Sequence, residues 1–365
     1  VGKFVISVRQ FTILVILFSI GTAILVVPSD IAADVKQGAW MTATIGVVIS
    51  LLLVKLYIST GNIAPNMSLV EINEKILGKW IGKTVSVFFV LFTFLSASEL
   101  LYFVENFMRS EIMPQTPAVA FNILFALIIV YGCYLGLETF IRSTEILFLF
   151  FVLLFIIFVI FISPQIDFKN IQPLFEVKAK SLIFSTLFFI SGFSFPMIIL
   201  LMLYPVSINE QKGPHKAFYL GTIMGGIVLI TIITLSILVL GADSTSRERY
   251  PSYELAKRIN IGNFLKRIEV IMAFLWIITI YIRVTVYFYA SVVGLAQILN
   301  LKDYRSLILP LGLILVGISL IAHPNVIQSA LYNKETWPSL AIIFGVFLPI
   351  LLLVVNKIRT LFSQK

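Results

Sequence analysis

The chain has 365 residues, 59% of them hydrophobic and only 12% charged, with a formal net charge of +9. Soluble domains carry about a quarter charged residues, so a soluble globular protein is excluded and a polytopic membrane protein is expected. The basic residues sit mostly at the ends of apolar runs, where they meet lipid headgroups, and they form no concentrated face for nucleic acid.

About 20 apolar residues cross the hydrocarbon core as a helix. Ten such runs are present, roughly 9–28, 40–58, 84–107, 118–136, 144–163, 182–204, 216–241, 266–298, 304–322 and 338–357. They are called spans 1 to 10 below. The first is too long for a signal-peptide core and lacks a clean small-residue cleavage site, so it is kept as a span. Within it Ser19, Gly21, Thr22 and Ala23 are small, and Pro28 closes the run. A break is expected at Gly21-Thr22-Ala23. Between spans 2 and 3, Ser68 and Glu71 have the spacing of a capping box, and Leu69, Ile72, Ile76 and Leu77 form one apolar face. A short helix on the cytoplasmic surface is predicted there.

Span 3 carries Ser96, Glu99, Tyr102 and Glu105. Glu99 is the deeper carboxylate, and Glu105 is expected near the outer end in contact with solvent. Cys133 in span 4 is the single cysteine, so no intramolecular disulfide is possible. In span 6, Gly192 and Pro196 bracket Phe193-Ser194-Phe195. Proline removes a donor and clashes with the carbonyl four residues back, here that of Gly192. An opened turn leaves N–H groups at the start of the next half-helix, which suit a carboxylate, and carbonyls on the preceding half, which suit an ammonium or a cation.

Small residues and proline also occur in membrane helices for packing alone. The matched placement, at the first span of each half, favours a site. Irregular backbone survives in lipid only beside a cavity or inside protein. Paired breaks in two halves of a chain mark a transporter-type binding site.

In the loop 242–265, Ser252 after Pro251 is expected to cap a short helix from Tyr253 to Ile259, ended by Gly262, over the outer cavity entrance. Span 8 holds Arg283 at mid-membrane, where a charge costs about 3 kcal/mol or more. Tyr287 and Thr279 share its face. Three readings are open: Arg283 binds Glu99 and braces a pocket wall, it meets a ligand carboxylate, or it forms an ion pair that only pins spans 3 and 8. Arg267-Ile268-Glu269 reads as an interfacial anchor. His215 and His323 have no ligand-like neighbours in sequence, so no metal or cofactor is expected, and no catalytic constellation marks an enzyme.

The fold class that follows is an all-α integral membrane protein, ten transmembrane helices arranged as a 5+5 inverted repeat with spans 1 and 6 broken. One membrane domain is expected, its first repeat at 1–165 and its second at 166–365. An even span number places both termini on one side. A weak Lys/Arg bias, with the long loop 242–265 discounted, makes that side cytoplasmic.

Five stretches carry a family resemblance. They are Ile20-Gly21-Thr22-Ala23-Ile24-Leu25 followed by Pro28; Gly38-Ala39-Trp40; Leu77-Gly78-Lys79-Trp80-Ile81-Gly82; Tyr250-Pro251-Ser252-Tyr253-Glu254; and Ile261-Gly262-Asn263-Phe264-Leu265-Lys266-Arg267-Ile268-Glu269 with Trp276. In order and spacing the chain resembles the B subunits of the nutrient germinant receptors of bacterial endospores. These spore germination proteins belong to the amino acid–polyamine–organocation transporter superfamily. The resemblance covers essentially the whole chain and implies the ten-helix inverted repeat. It also implies binding of a small germinant, often an amino acid, in the inner spore membrane. The implied partners are a membrane-embedded A subunit and a lipoprotein C subunit, which receive the signal. Ala23 stands where the superfamily's Gly-small-Gly motif commonly has its second glycine.

The candidate ligand site comprises Gly21, Thr22 and Ala23 from span 1 and Gly192, Phe193 and Ser194 from span 6. Ser96, Glu99, Arg283 and Tyr287 form the opposing wall. A proton- or sodium-coupled amino acid transporter using the same pocket, with Glu99 as proton carrier, is the alternative. A structural assembly subunit with a vestigial pocket is a third reading.

Overall fold

The structure, a computed structural model, describes residues 6–204, 213–259 and 268–363. The stretch Ile261–Arg267, which includes Gly262, lies outside the described residues. Span 1 is α1 (Val8–Ile20) and α2 (Ala23–Val35), and span 2 is α3 (Ala39–Gly61). A turn at Lys36–Gly38, with Lys36 at φ +49°, reverses the chain between them. The predicted surface helix is α4 (Leu69–Leu77), and both hydrogen bonds of the Ser68/Glu71 capping box are made. Spans 3, 4 and 5 are α5 (Lys79–Phe107), α6 (Ala118–Leu135) and α7 (Leu137–Ile162).

Span 6 is α8 (Ala179–Phe193) followed by a 3₁₀ segment, Phe195–Met202, and span 7 is α9 (Gly213–Leu240). Two short helices follow, α10 (Ala242–Arg247) and α11 (Pro251–Lys257). Spans 8 and 9 are α12 (Glu269–Ile298) and α13 (Arg305–Ile321). Span 10 joins α14 (Val326–Leu331), α15 (Trp337–Ile342) and α16 (Leu348–Ser363) through two π-helical turns, Tyr332–Thr336 and Ile343–Phe347. The apolar helical stretches thus account for the ten spans.

Two boundaries differ from the sequence reading. Pro28 does not end span 1, because α2 runs through it to Val35. The carbonyl that Pro28 deprives of its donor finds another, described below. Span 10 begins near Val326 rather than 338, since the wider π turns carry the polar Tyr332–Thr336 stretch within a continuous helical path.

Glycines set the closest approaches. Gly221 and Gly225 on α9 face α1 so tightly that a Cβ on either would lie 2.6 Å from Val15 and 2.3 Å from the Ser19 hydroxyl. Gly226, on the adjoining face, meets Val47 of α3 at 2.6 Å. Helix association in lipid relies on such small-residue contacts, because apolar burial drives little there. The same α1 packs on α12, and α12 packs along α5. Span 8 is therefore enclosed: 72% of its apolar window is buried, against 17% for span 5, which presents its side chains outward. Enclosure lets α12 carry Arg283.

Candidate functional site

The site begins with two prolines. Pro28 leaves the Ile24 carbonyl without its helical donor, and Pro196 does the same to Gly192. An unsatisfied carbonyl inside a membrane protein is costly, and each is taken by a side chain from elsewhere. Ser252 at the start of α11 donates to Ile24 O at 2.5 Å. Arg283 Nη2 donates to Gly192 O at 2.7 Å. Neighbouring carbonyls at the breaks are held similarly. Thr279 donates to Gly21 O at 2.9 Å, Trp337 Nε1 to Ser191 O at 3.1 Å, and the Tyr57 hydroxyl to Ser194 O at 3.2 Å.

Ser252 is a correction to the sequence reading. It caps no helix: α11 starts on Pro251 with Tyr250 at the cap and no side-chain cap bond. Its hydroxyl serves α2 instead. Ser252→Ala is expected to destabilise the protein by about 1–3 kcal/mol, the cost of an orphaned buried acceptor. In a Pro28→Ala background the backbone N–H at position 28 can take Ile24 O, so the same substitution should cost less than half as much. Thermal unfolding of the four variants of this cycle measures the coupling. Equal cost in both backgrounds would show that the Ser252 bond does not replace the missing helical one. At the end of α11, burial alone would lower the Lys257 pKa. Contacts with Glu254 at 3.1 Å and Glu111 at 3.3 Å overcome that and hold the ammonium above its ordinary value.

At span 1 the break is a single residue. Gly21 has φ +39° and ψ −125°, a conformation L side chains rarely adopt. Here α1 stops and α2 restarts, with no side-chain cap on the α2 N-terminus at Thr22. A Cβ on Gly21 would sit 2.3 Å from Arg283 Cδ and 2.5 Å from Nη1. The arginine is therefore threaded past the break to reach Gly192. Its guanidinium lies over the Phe18 ring at 5.5 Å, and Phe18 stacks on Tyr287. Arg283 is 2% exposed, and Nε and Nη1 have no hydrogen-bond partner among the described residues. The Tyr287 hydroxyl is close enough to interact with the guanidinium, though outside bonding geometry with those two nitrogens.

A cavity of about 70 Å³, opening toward solvent, lies against these groups. Thr22, Ala23, Ser96, Glu99, Gly192, Arg283 and Tyr287 all line it. The other three candidate residues do not. Gly21 backs onto Arg283. Phe193 lies tilted against Phe189, and the Ser194 carbonyl faces Tyr57 of α3. A helix turns about 100° per residue, so Gly192 and Ser194 cannot both face one cavity.

Sequence reasoning missed Asp30, Phe188, Asn333 and Trp337, which also line the cavity. Asp30 was legible in principle: it lies seven residues past Ala23, two turns along the same face. Ending span 1 at Pro28 hid it. Asn333 and Trp337 are brought in by the π turn of span 10, which no apolar run announces.

Glu99 does not pair with Arg283. Its partner is His323, at 2.6 Å, from the turn between α13 and α14. The imidazole is packed edge-on to Tyr102 and beside Tyr332. His323 thus has a carboxylate neighbour that sequence spacing concealed. Glu105 is not solvated; it is 5% exposed and bonded to Arg109 at 2.9 Å. At the cavity mouth Asp30 borders a second depression formed with Asp34, Lys180 and Lys334, where Lys334 meets Asp34 at 3.3 Å.

Broken spans around a central, partly polar cavity define the class: an all-helical membrane protein with a transporter fold. Solved structures agree in fold. The substrate-bound outward-open Na⁺-coupled sialic acid symporter matches with a TM-score of 0.70 at 12% identity, covering 96% of this chain and 79% of that one. MhsT in complex with L-phenylalanine matches at 0.68 with 14% identity, covering 97% and 99%. The chain belongs to the spore germination protein family, whose model matches residues 5–327. Among its relatives is spore germination protein KB of Bacillus subtilis (strain 168), 26% identical over 322 residues, covering 88% of this chain and 86% of the relative.

Proposed function

We propose that the chain is the ligand-sensing membrane subunit of a spore germinant receptor. A small nutrient such as an amino acid binds in the cavity between spans 1, 3, 6 and 8. Its binding energy differs between two arrangements of the bundle, and that difference is passed to partner subunits, an A subunit and a lipoprotein C subunit. Equal affinity for both arrangements would transmit nothing. In this reading the protein lies in the inner spore membrane with both termini cytoplasmic, and its two five-helix repeats divide near residue 165.

The observation that carries the reading is the way the breaks are held. Carbonyls of spans 1 and 6 are gripped by side chains of spans 8 and 10 and of α11, and two of those side chains, Arg283 and Trp337, line the cavity. A ligand there touches Arg283 and Trp337, which hold span 6 against spans 8 and 10.

The test is a thermal-shift screen of the purified chain, alone and co-expressed with its partners, against amino acids, sugars and nucleosides. A ligand that stabilises the wild type and fails to stabilise Ala23→Phe, which fills the cavity, supports the reading. Stabilisation unchanged in Ala23→Phe, or no ligand in either preparation, overturns it.

The part-buried Glu99–His323 pair, whose Glu99 lines the cavity, favours a second reading, a proton-coupled amino acid transporter with Glu99 as the carrier. Uptake into proteoliposomes that is driven by a pH gradient and lost in Glu99→Gln would establish it. Ligand binding without uptake leaves the sensor.

A further inference from the structure

Carbonyls opened by broken membrane helices are natural seats for a sodium ion or a ligand ammonium, and half-helix N-termini are seats for a carboxylate. In this chain four carbonyls at the breaks are already engaged by side chains. The carbonyls of Gly21, Ile24, Ser191 and Gly192 each accept a hydrogen bond from a protein side chain. At Gly192 the donor is itself a cation. The second kind of seat is open: the uncapped N-terminus of the thirteen-residue α2 reaches the cavity at Thr22 and Ala23. Beside it stands Arg283, with Nε and Nη1 unpartnered among the described residues and no carboxylate in ion-pair contact. The acidic groups on the same cavity are Glu99, engaged with His323, and Asp30 at the mouth.

We propose that Arg283 is a built-in cation that takes the place of a coupling ion. With the α2 N-terminus it forms an anion site for the carboxylate of a small organic acid or amino acid, which binds without an accompanying alkali cation. The proposal deepens the ligand-pocket reading above and rests on it. A buried guanidinium with free donors is short of a counter-charge, and a carboxylate supplies both the charge and charge-assisted hydrogen bonds. The contrast with the fold neighbour described as a Na⁺-coupled symporter then has a structural reason, since the side chain occupies one of the carbonyls a free cation would use.

The test uses the full chain in lipid nanodiscs, with two pairs of probes: propionate against propionamide, and L-alanine against L-alaninamide. Unfolding midpoints are read in choline chloride and in sodium chloride. Millimolar propionate or L-alanine is expected to raise the midpoint by the same amount in both salts, with each amide binding about tenfold or more weakly. Arg283→Gln should lose the response, and Arg283→Lys should keep part of it. Should these variants fold poorly, the wild type still decides: propionate should slow modification of Arg283 by phenylglyoxal, read by peptide mass.

No shift and no protection with either carboxylate overturns the proposal, as does an amide that binds equally well or a response that requires sodium. Failure of the pocket reading looks different. Carboxylate binding that survives Ala23→Phe places the anion elsewhere. Binding of an uncharged ligand that Ala23→Phe abolishes, with no carboxylate response, keeps the pocket and removes the anion site.

Discussion

Gly21→Ala is expected to destabilise the protein by about 2–5 kcal/mol and to displace Arg283 from the span 6 carbonyl. Two effects add. The backbone at φ +39°, ψ −125° costs a non-glycine residue about 1–3 kcal/mol. The new methyl would also lie 2.3 Å from Arg283 Cδ, an overpacking of similar size. The two parts separate in an Arg283→Ala background, where only the backbone strain remains. Thermal unfolding of the single and double variants gives both terms. A midpoint within a degree of wild type for Gly21→Ala would mean that the break does not have this geometry.

Arg283→Met is expected to act in the opposite sense. It should raise the unfolding midpoint of the ligand-free protein while abolishing any response to carboxylates. Leaving the Gly192 carbonyl without its donor costs about 1–3 kcal/mol. Removing a guanidinium that is 2% exposed, with two unpartnered nitrogens, returns a desolvation penalty of several kcal/mol. The second term is the larger, and methionine fills comparable space without strain. A lower midpoint in Arg283→Met would show that the bond to span 6 outweighs the buried charge, and would assign Arg283 to holding the bundle together.

Much of the fold was legible because the bilayer demands local solutions. Each span must satisfy its own backbone, so its length and apolarity are written into consecutive residues. The α4 helix was legible for a similar reason, since its capping box lies within four residues. The breaks at Gly21 and Pro196 could be read because glycine and proline act on their own turn. Seven of the ten candidate residues line one cavity; Phe193 and Ser194 follow Gly192 by about 100° and 200° of turn and face elsewhere, and Gly21 lies behind Arg283.

The partners of the charges were not legible. Glu99 and His323 are far apart in sequence, and nothing in either neighbourhood signals the other. Ser252 read as a local cap because that is the hydroxyl's usual task after a proline, yet Ile24 claimed it from another span. Asp30 was lost because Pro28 was read as a stop.

By itself the sequence determined a polytopic helical membrane protein, the number of its spans, where two of them break, and that one arginine lies deep in the bundle. These follow from composition and from interactions closed within a turn or two. Only the tertiary structure decided that the two prolines free carbonyls for Ser252 and Arg283, that Glu99 turns to His323, and that Arg283 keeps two donors free beside the α2 N-terminus. Each of those is a hydrogen bond, or the lack of one, between spans. Its donor and acceptor meet only once the helices have packed.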